Sequence, residues 1–247
     1  MILIRMKMIR LWMLVLGMVL LVSCDTVYQV AEGVLYKNTE PTQTEMAGGL
    51  KEALANGAAQ AVMGLHKPGG YYQDALVKIP FPEEAQFAAN ALRDLGMGSL
   101  VTRFEEKLNE GAEKGAELAL PIFKDAILQM SFEDVKGILL GGEHAATDYF
   151  EAKTSEKLAT AFSPIIKNSL DEVHATDIWS EITTRYNSIP LVRKKVETDI
   201  VKYATARALK GLFLKLGDEE KKIREQPLAR GSELLKKVFG YADQMKK

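Results

Sequence analysis

The chain has 247 residues, 47% of them hydrophobic and 26% charged, and its 32 basic and 33 acidic residues give a formal net charge of −1 at pH 7. This composition is typical of a folded globular protein, and the balanced charge gives no indication of nucleic-acid binding. The one cysteine, Cys24, excludes an intramolecular disulfide bond and a cysteine-based zinc cluster.

The first 23 residues have the pattern of a secretory signal peptide. An apolar run over residues 11–22 follows three cations, which are Arg5, Lys7 and Arg10. A membrane-spanning helix needs about 20 apolar residues, and this run is shorter. The pattern therefore predicts a cleaved signal peptide over residues 1–23 rather than a transmembrane segment.

The apolar run ends in Leu21-Val22-Ser23-Cys24, an order that resembles a bacterial lipobox, in which the cysteine is acylated and becomes the new N-terminus. The alternative interpretation is that Cys24 ends a buried N-terminal helix, but such a helix does not need the preceding cations. We expect Cys24 to be the lipidation site. This predicts a protein anchored by lipid to the inner or outer membrane of a bacterial envelope, with its body facing the periplasm.

Cleavage would remove three cations and leave the mature chain with a net charge of −4. Residues 24–43 are mostly polar and are predicted to form the lipidated N-terminus and a short extended tether. In residues 44–247, apolar residues recur at spacings of three and four rather than two. We therefore predict a single compact all-α domain of about eight to ten helices.

The first helix of this domain is predicted over Leu50 to Leu65, and a turn at residues 68–72 follows it. Two prolines, at 80 and 82, flank Phe81 and favour an extended path. Tyr71, Tyr72 and Phe81 could line a groove between helices that binds an apolar ligand or a partner helix. The alternative is that these three rings fill the core beside an irregular connection.

Further along, Ser131 and Asp134 have the spacing of a capping box that opens a short helix. A break or bend is expected near residues 153–154, and Pro164 predicts a kink or a new helix start. Glu220 and Arg224 have the i, i+4 spacing of a helical ion pair, which stabilises a helix by a few tenths of a kcal/mol on an exposed surface. Ser232 is predicted to cap the last helix.

Several blocks together resemble the bacterial lipoprotein-like family catalogued as domain of unknown function 4197. The blocks are residues 70–84, 131–157, 167–170, 186–190 and 218–240. The similarity runs from about residue 48 to 240. It implies a helical protein of Gram-negative bacteria, and it implies no activity, cofactor or catalytic residue.

The preferred functional hypothesis is a non-enzymatic, lipid-anchored protein that binds a protein partner or an apolar ligand. The alternative is an envelope hydrolase or metal-dependent enzyme that uses Glu143, His144 and Asp148, since His144 and Asp148 would share a helical face. A zinc site normally has three or four ligands, and this cluster contains a single histidine. We therefore expect no cofactor, and we expect the acids to favour the first turns of their helix instead.

Overall fold

A computed structural model describes residues 40–188, 195, 197 and 199–245. These residues contain nine α-helices, two short 3₁₀-helices and no β-strand, which confirms the all-α class. The helices are α1 Gln43–His66, α2 Gln86–Asp94, α3 Gly98–Ala116, α4 Ala119–Leu128, α5 Phe132–Leu140, α6 Ala145–Asp171, α7 Ala175–Asn187, α8 Ile200–Glu225 and α9 Glu233–Met245. The predicted signal peptide, Cys24 and nearly all of the tether lie outside the described residues.

No helix in the described ranges is long and apolar enough to span a lipid bilayer.

The centre of the domain is α6, which packs most extensively against α3 and α8. Leu158, Phe162 and Ile166 follow one another at intervals of four along α6 and are completely buried. A row at this spacing occupies one face of a helix. Small residues on α3 let the two helices approach closely, because a Cβ added at Gly115 would lie 2.9 Å from Cδ1 of Phe162.

The predicted break near residues 153–154 and the predicted new helix start at Pro164 do not occur, because α6 is one helix of 27 residues with Pro164 inside it. The other forms of these predictions, a bend near residues 153–154 and a kink at Pro164, stay predictions. The Thr154 hydroxyl donates a hydrogen bond to the Phe150 carbonyl, 2.6 Å away, within the helix. A proline inside a helix costs about 3 kcal/mol. Burial of Leu158, Phe162 and Ile166 on α6 offsets this cost, since each large apolar side chain contributes about 1.5–3 kcal/mol.

The two predicted helix caps that involve residues three positions apart are confirmed. Ser131 and Asp134 form the capping box of α5, with each side chain accepting a hydrogen bond from the other residue's backbone N–H. The Ser232 hydroxyl accepts a hydrogen bond from the N–H of Leu235 at 3.2 Å, at the start of α9.

Candidate functional site

The connection between α1 and α2 is an irregular stretch that we call the proline segment, residues 71–82. It lies along α3, whose polar side chains form the backbone hydrogen bonds that a neighbouring β-strand would otherwise form. The Asn109 side chain accepts a hydrogen bond from the Ile79 N–H at 2.8 Å and donates one to the Ile79 carbonyl at 2.9 Å. One turn further along α3, Glu113 accepts the N–H groups of Tyr71 and Tyr72 at 3.1 and 3.2 Å.

Glu105 lies one turn before Asn109 on α3 and also contacts the proline segment. Its carboxylate accepts the Phe81 N–H at 3.3 Å and lies 3.4 Å from the Lys78 ammonium. Glu105, Asn109 and Glu113 are spaced at four residues and so lie on one face of α3. We call these three residues the α3 row. A buried backbone N–H without a partner is costly, and the α3 row removes that cost for a segment with no regular structure.

The aromatic residues of the proline segment are mainly core residues, which agrees with the alternative that the sequence left open. Tyr71 is completely buried, and its hydroxyl donates to the Ala208 carbonyl of α8 at 2.9 Å. Burial, with a smaller contribution from the Glu113 charge, raises the pKa of Tyr71 far above its ordinary value. Tyr72 is partly exposed, with the Lys78 ammonium 4.2 Å from the centre of its ring.

Phe81 is also buried and belongs to an aromatic cluster. Its ring centre lies 5.0 Å from that of Phe104 on α3 and 5.5 Å from that of Trp179 on α7. Aromatic pairs at these distances stabilise a core beyond the area that they bury. Tyr71 and Phe81 are therefore packed in the core and hold the proline segment in place.

An open groove of about 870 Å³ runs along α8. We call it the α8 groove. One wall is the proline segment, through Leu76, Val77 and Lys78. The facing wall is the first half of α6, through His144, Thr147, Glu151 and Ser155. The floor is α8 from Ala206 to Lys221 and includes Arg207, Lys210 and Leu214. The proline segment thus contributes to a groove, but through residues other than its aromatic rings.

Two leucines give the α8 groove its exposed apolar surface. Leu76 is 73% exposed and Leu214 is 43% exposed. The floor comes close to the wall at Gly211, where an added Cβ would lie 2.9 Å from Cε1 of Tyr71 and 3.1 Å from Cβ of Val77. Glycine at this position lets α8 and the proline segment form adjacent sides of the same groove.

The α8 groove has an excess of cations. Four basic side chains line it, Lys78, Arg207, Lys210 and Lys221, and two carboxylates, Glu151 and Asp218. Lys78 lies against Glu105, and Lys221 lies 4.0 Å from Glu225. Arg207 and Lys210 form no ion pair within the part of the chain that the structure describes.

One end of the groove wall is fixed by a buried ion pair, Glu220 and Arg224 of α8, whose side chains are 6% and 10% exposed. Glu220 accepts the N–H groups of Ala146 and Thr147, at 3.0 and 2.8 Å, at the start of α6. Arg224 donates to the Ile138 carbonyl at 2.9 Å, at the end of α5. A negative charge at a helix start and a positive charge at a helix end both favour the helix dipole. The pair therefore joins three helices.

Glu143, His144 and Asp148, the metal candidates from the sequence, are all exposed. Across residues 40–188, 195, 197 and 199–245, no group of three or more histidine, cysteine or acidic side chains could hold a metal ion. His144 lies in the wall of the α8 groove. The arrangement gives no support to the alternative of a hydrolase or metal-dependent enzyme.

Sequence reasoning missed the residues that distinguish this site. It credited Glu143 and Asp148 with stabilising the start of α6, whereas Glu220, more than 70 residues away, accepts the first N–H groups. It also treated Glu220 and Arg224 as a weak surface pair. The available signal for the groove was the spacing of Arg207, Lys210 and Leu214, which places two cations and a leucine along one face of α8.

No curated protein and no solved structure matches the chain. One protein-family model does match, over residues 40–240, and it carries the description "Protein of unknown function (DUF4197)". The matched range covers all nine helices of the described domain except the end of α9. The chain therefore belongs to the DUF4197 family, in agreement with the resemblance seen in its sequence blocks.

Proposed function

We propose that this chain is a non-enzymatic, lipid-anchored protein of the bacterial cell envelope that binds a protein partner or an apolar ligand in the α8 groove. The observation that carries the binding part is the exposure of Leu76 and Leu214 inside a groove of about 870 Å³. Ligand sites are typically concave, mainly apolar and about 300–1,000 Å³ in volume. The α8 groove has the size of such a site and adds a few charged groups.

The anchoring part of the proposal rests on the sequence Leu21-Val22-Ser23-Cys24 at the end of a signal-peptide pattern. A single acyl chain gives marginal membrane binding, so stable anchoring takes more than one chain. The multiple acylation typical of bacterial lipoproteins would meet this requirement. The domain would then work beside a periplasmic membrane surface.

Acyl labelling of the full chain in a bacterial host tests the anchor. We expect Cys24→Ser to abolish incorporation of labelled fatty acid and to release the protein from the membrane fraction. Ser23→Ala is the matched control, because it keeps a small residue before the cysteine and should still be labelled. An unchanged membrane fraction and unchanged labelling in Cys24→Ser would refute the anchor.

Chemical cross-linking in intact envelopes tests the groove. Leu214→Asp places a charge in the groove and should remove the cross-linked products that the natural chain gives. Leu128→Asp is the control, since Leu128 is 65% exposed on α4 and lies outside the groove. The same products from both variants and the natural chain would contradict the proposal.

A further inference from the structure

We propose that the occupant of the α8 groove is a single-chain lipid with an anionic phosphate head group. Arg207 and Lys210 bind the phosphate, and Leu76 and Leu214 contact the acyl chain. This inference rests on the proposed binding function of the groove and specifies its ligand. It follows from three features of the groove, which are the placement of its cations, the position of its exposed leucines and the small extent of its apolar surface.

The cations of the groove are available for an anionic ligand. Arg207 and Lys210 lie one turn apart on α8 and form no ion pair among the described residues. The Arg207 guanidinium lies 5.6 Å from the ring centre of Tyr203. A planar guanidinium matches the oxygens of a phosphate, and a lysine adds a second charge. The chain as a whole has a net charge of −1, so this local excess of cations stands out.

An apolar surface begins directly beside these cations. Leu214 lies four residues after Lys210, which places it on the same face of α8, about 6 Å along the axis. Leu76 lines the groove from the proline segment and is more exposed than Leu214. A ligand that satisfies both surfaces has an anionic group joined to an apolar chain.

The extent of the apolar surface favours an acyl chain over a partner helix. An amphipathic helix docks through several anchors at positions i, i+3, i+4 and i+7, which requires a broad apolar groove. Leu76 and Leu214 are the large exposed apolar side chains of the groove among the described residues. A narrow apolar strip of this kind can cover one acyl chain.

The carboxylates Glu151 and Asp218 also line the groove, and they would repel an anion placed near them.

The test uses the full acylated chain, purified in a nonionic detergent and titrated with lysophosphatidylglycerol, with bound lipid counted by native mass spectrometry. We expect lysophosphatidylglycerol to bind, lysophosphatidylcholine to bind more weakly and inorganic phosphate alone to give no adduct. Lys210→Ala should weaken binding of lysophosphatidylglycerol about fivefold, the effect of one cation near an anionic head group. It should change binding of lysophosphatidylcholine less.

Matched variants separate the groove from the rest of the surface. Leu214→Asp should abolish binding of both lipids, and Glu151→Gln should strengthen binding of the anionic one. Lys124→Ala and Leu128→Asp, on the exposed surface of α4, should bind both lipids as the natural chain does. Unfolding temperatures of all variants are compared, so that a loss of binding is read only from variants that remain folded.

Three results would overturn the inference. Equal binding of both lipids, unchanged in Lys210→Ala but lost in Leu214→Asp, would refute the phosphate site and leave the groove proposal intact. Absence of lipid binding, together with envelope cross-links that depend on Leu214, would replace the lipid by a protein partner. Lipid binding and cross-links that are both unaffected by Leu214→Asp would refute the lipid site and the proposed function together.

Discussion

The Asn109 side chain of α3 forms with Ile79 both of the hydrogen bonds that a neighbouring β-strand would form, at 2.8 and 2.9 Å. Asn109 and Ile79 are both completely buried. A helix thus satisfies the backbone of an irregular segment at Ile79 through one side chain. This contact keeps the proline segment beside α3, and the same segment forms a wall of the α8 groove.

Replacing Asn109 should therefore be costly. Asn109→Leu leaves the N–H and the carbonyl of Ile79 buried without partners, and each such group costs about 1–3 kcal/mol. We expect a loss of about 2–6 kcal/mol in the free energy of unfolding, measured by urea denaturation. Asn90→Ala, an exposed asparagine of α2, is the control and should change stability by less than about 0.5 kcal/mol. Similar small losses in both variants would contradict this account.

Two i, i+4 ion pairs of α8, Glu220–Arg224 and Lys221–Glu225, should contribute very differently to the free energy of unfolding. Glu220→Ala leaves Arg224 buried and unpaired and removes the acceptor for the start of α6, so we expect a loss of about 3–5 kcal/mol. Glu225→Ala breaks the pair with Lys221, in which the Glu225 side chain is 52% exposed and the Lys221 side chain 59% exposed. This change should cost less than about 1 kcal/mol. Thermal and urea unfolding compare the two variants, and equal losses would show that burial does not decide the effect.

The ion pair between Asp74 and Lys215 should make stability depend on pH. The hydrogen bond from Lys215, at 2.7 Å, and a second from the Leu76 N–H lower the pKa of Asp74. A lowered pKa in the folded state adds stability above the unfolded pKa of about 3.9, and this stability disappears as the pH falls through the folded value. We expect Lys215→Met to be less stable than the natural chain at pH 7, and the difference to vanish in acid.

Urea unfolding at several pH values between about 7 and 2 measures this difference. Lys124→Met, on the exposed face of α4, is the control and should show no such pH-dependent difference. A gap between Lys215→Met and the natural chain that widens on acidification would have the wrong sign and would refute the assignment.

Glycine at the contact between α8 and the proline segment should not be replaceable. Alanine normally stabilises a helix interior by up to about 1 kcal/mol relative to glycine. At Gly211 the new Cβ would lie 2.9 Å from the buried Tyr71 ring, so we expect Gly211→Ala to be destabilising. At Gly137 on α5 nothing lies within 4 Å, and Gly137→Ala should be stabilising. Calorimetric melting gives the sign of both effects, and a stabilising Gly211→Ala would contradict the close contact.

The features that the sequence predicted correctly depend on neighbouring residues. The capping box of Ser131 and Asp134 and the cap at Ser232 span three residues each, so their geometry follows from spacing alone. The absence of a regular helix around Phe81 follows from its two flanking prolines.

The features that it missed depend on residues far apart in the chain. Glu220 contacts the start of α6 more than 70 residues earlier, and Asn109 contacts Ile79 from a distance of 30 residues. No local pattern contains these pairs. Pro164 shows the same limit, because the packing that keeps α6 continuous comes from α3 and α8. For the groove, sequence reasoning selected the aromatic rings of the proline segment, whereas tertiary packing buries Tyr71 and leaves Leu76 exposed.

The most direct measurement of the central claim is photo-cross-linking from position 214 of the full chain in its native envelope. A photoreactive amino acid replaces Leu214 in one variant and Leu128 in the other, since both leucines are exposed but only Leu214 lies in the α8 groove. We predict a defined cross-linked product, lipid or protein, from position 214 and none from position 128. No product from position 214, or the same products from both positions, would contradict a binding function for this groove.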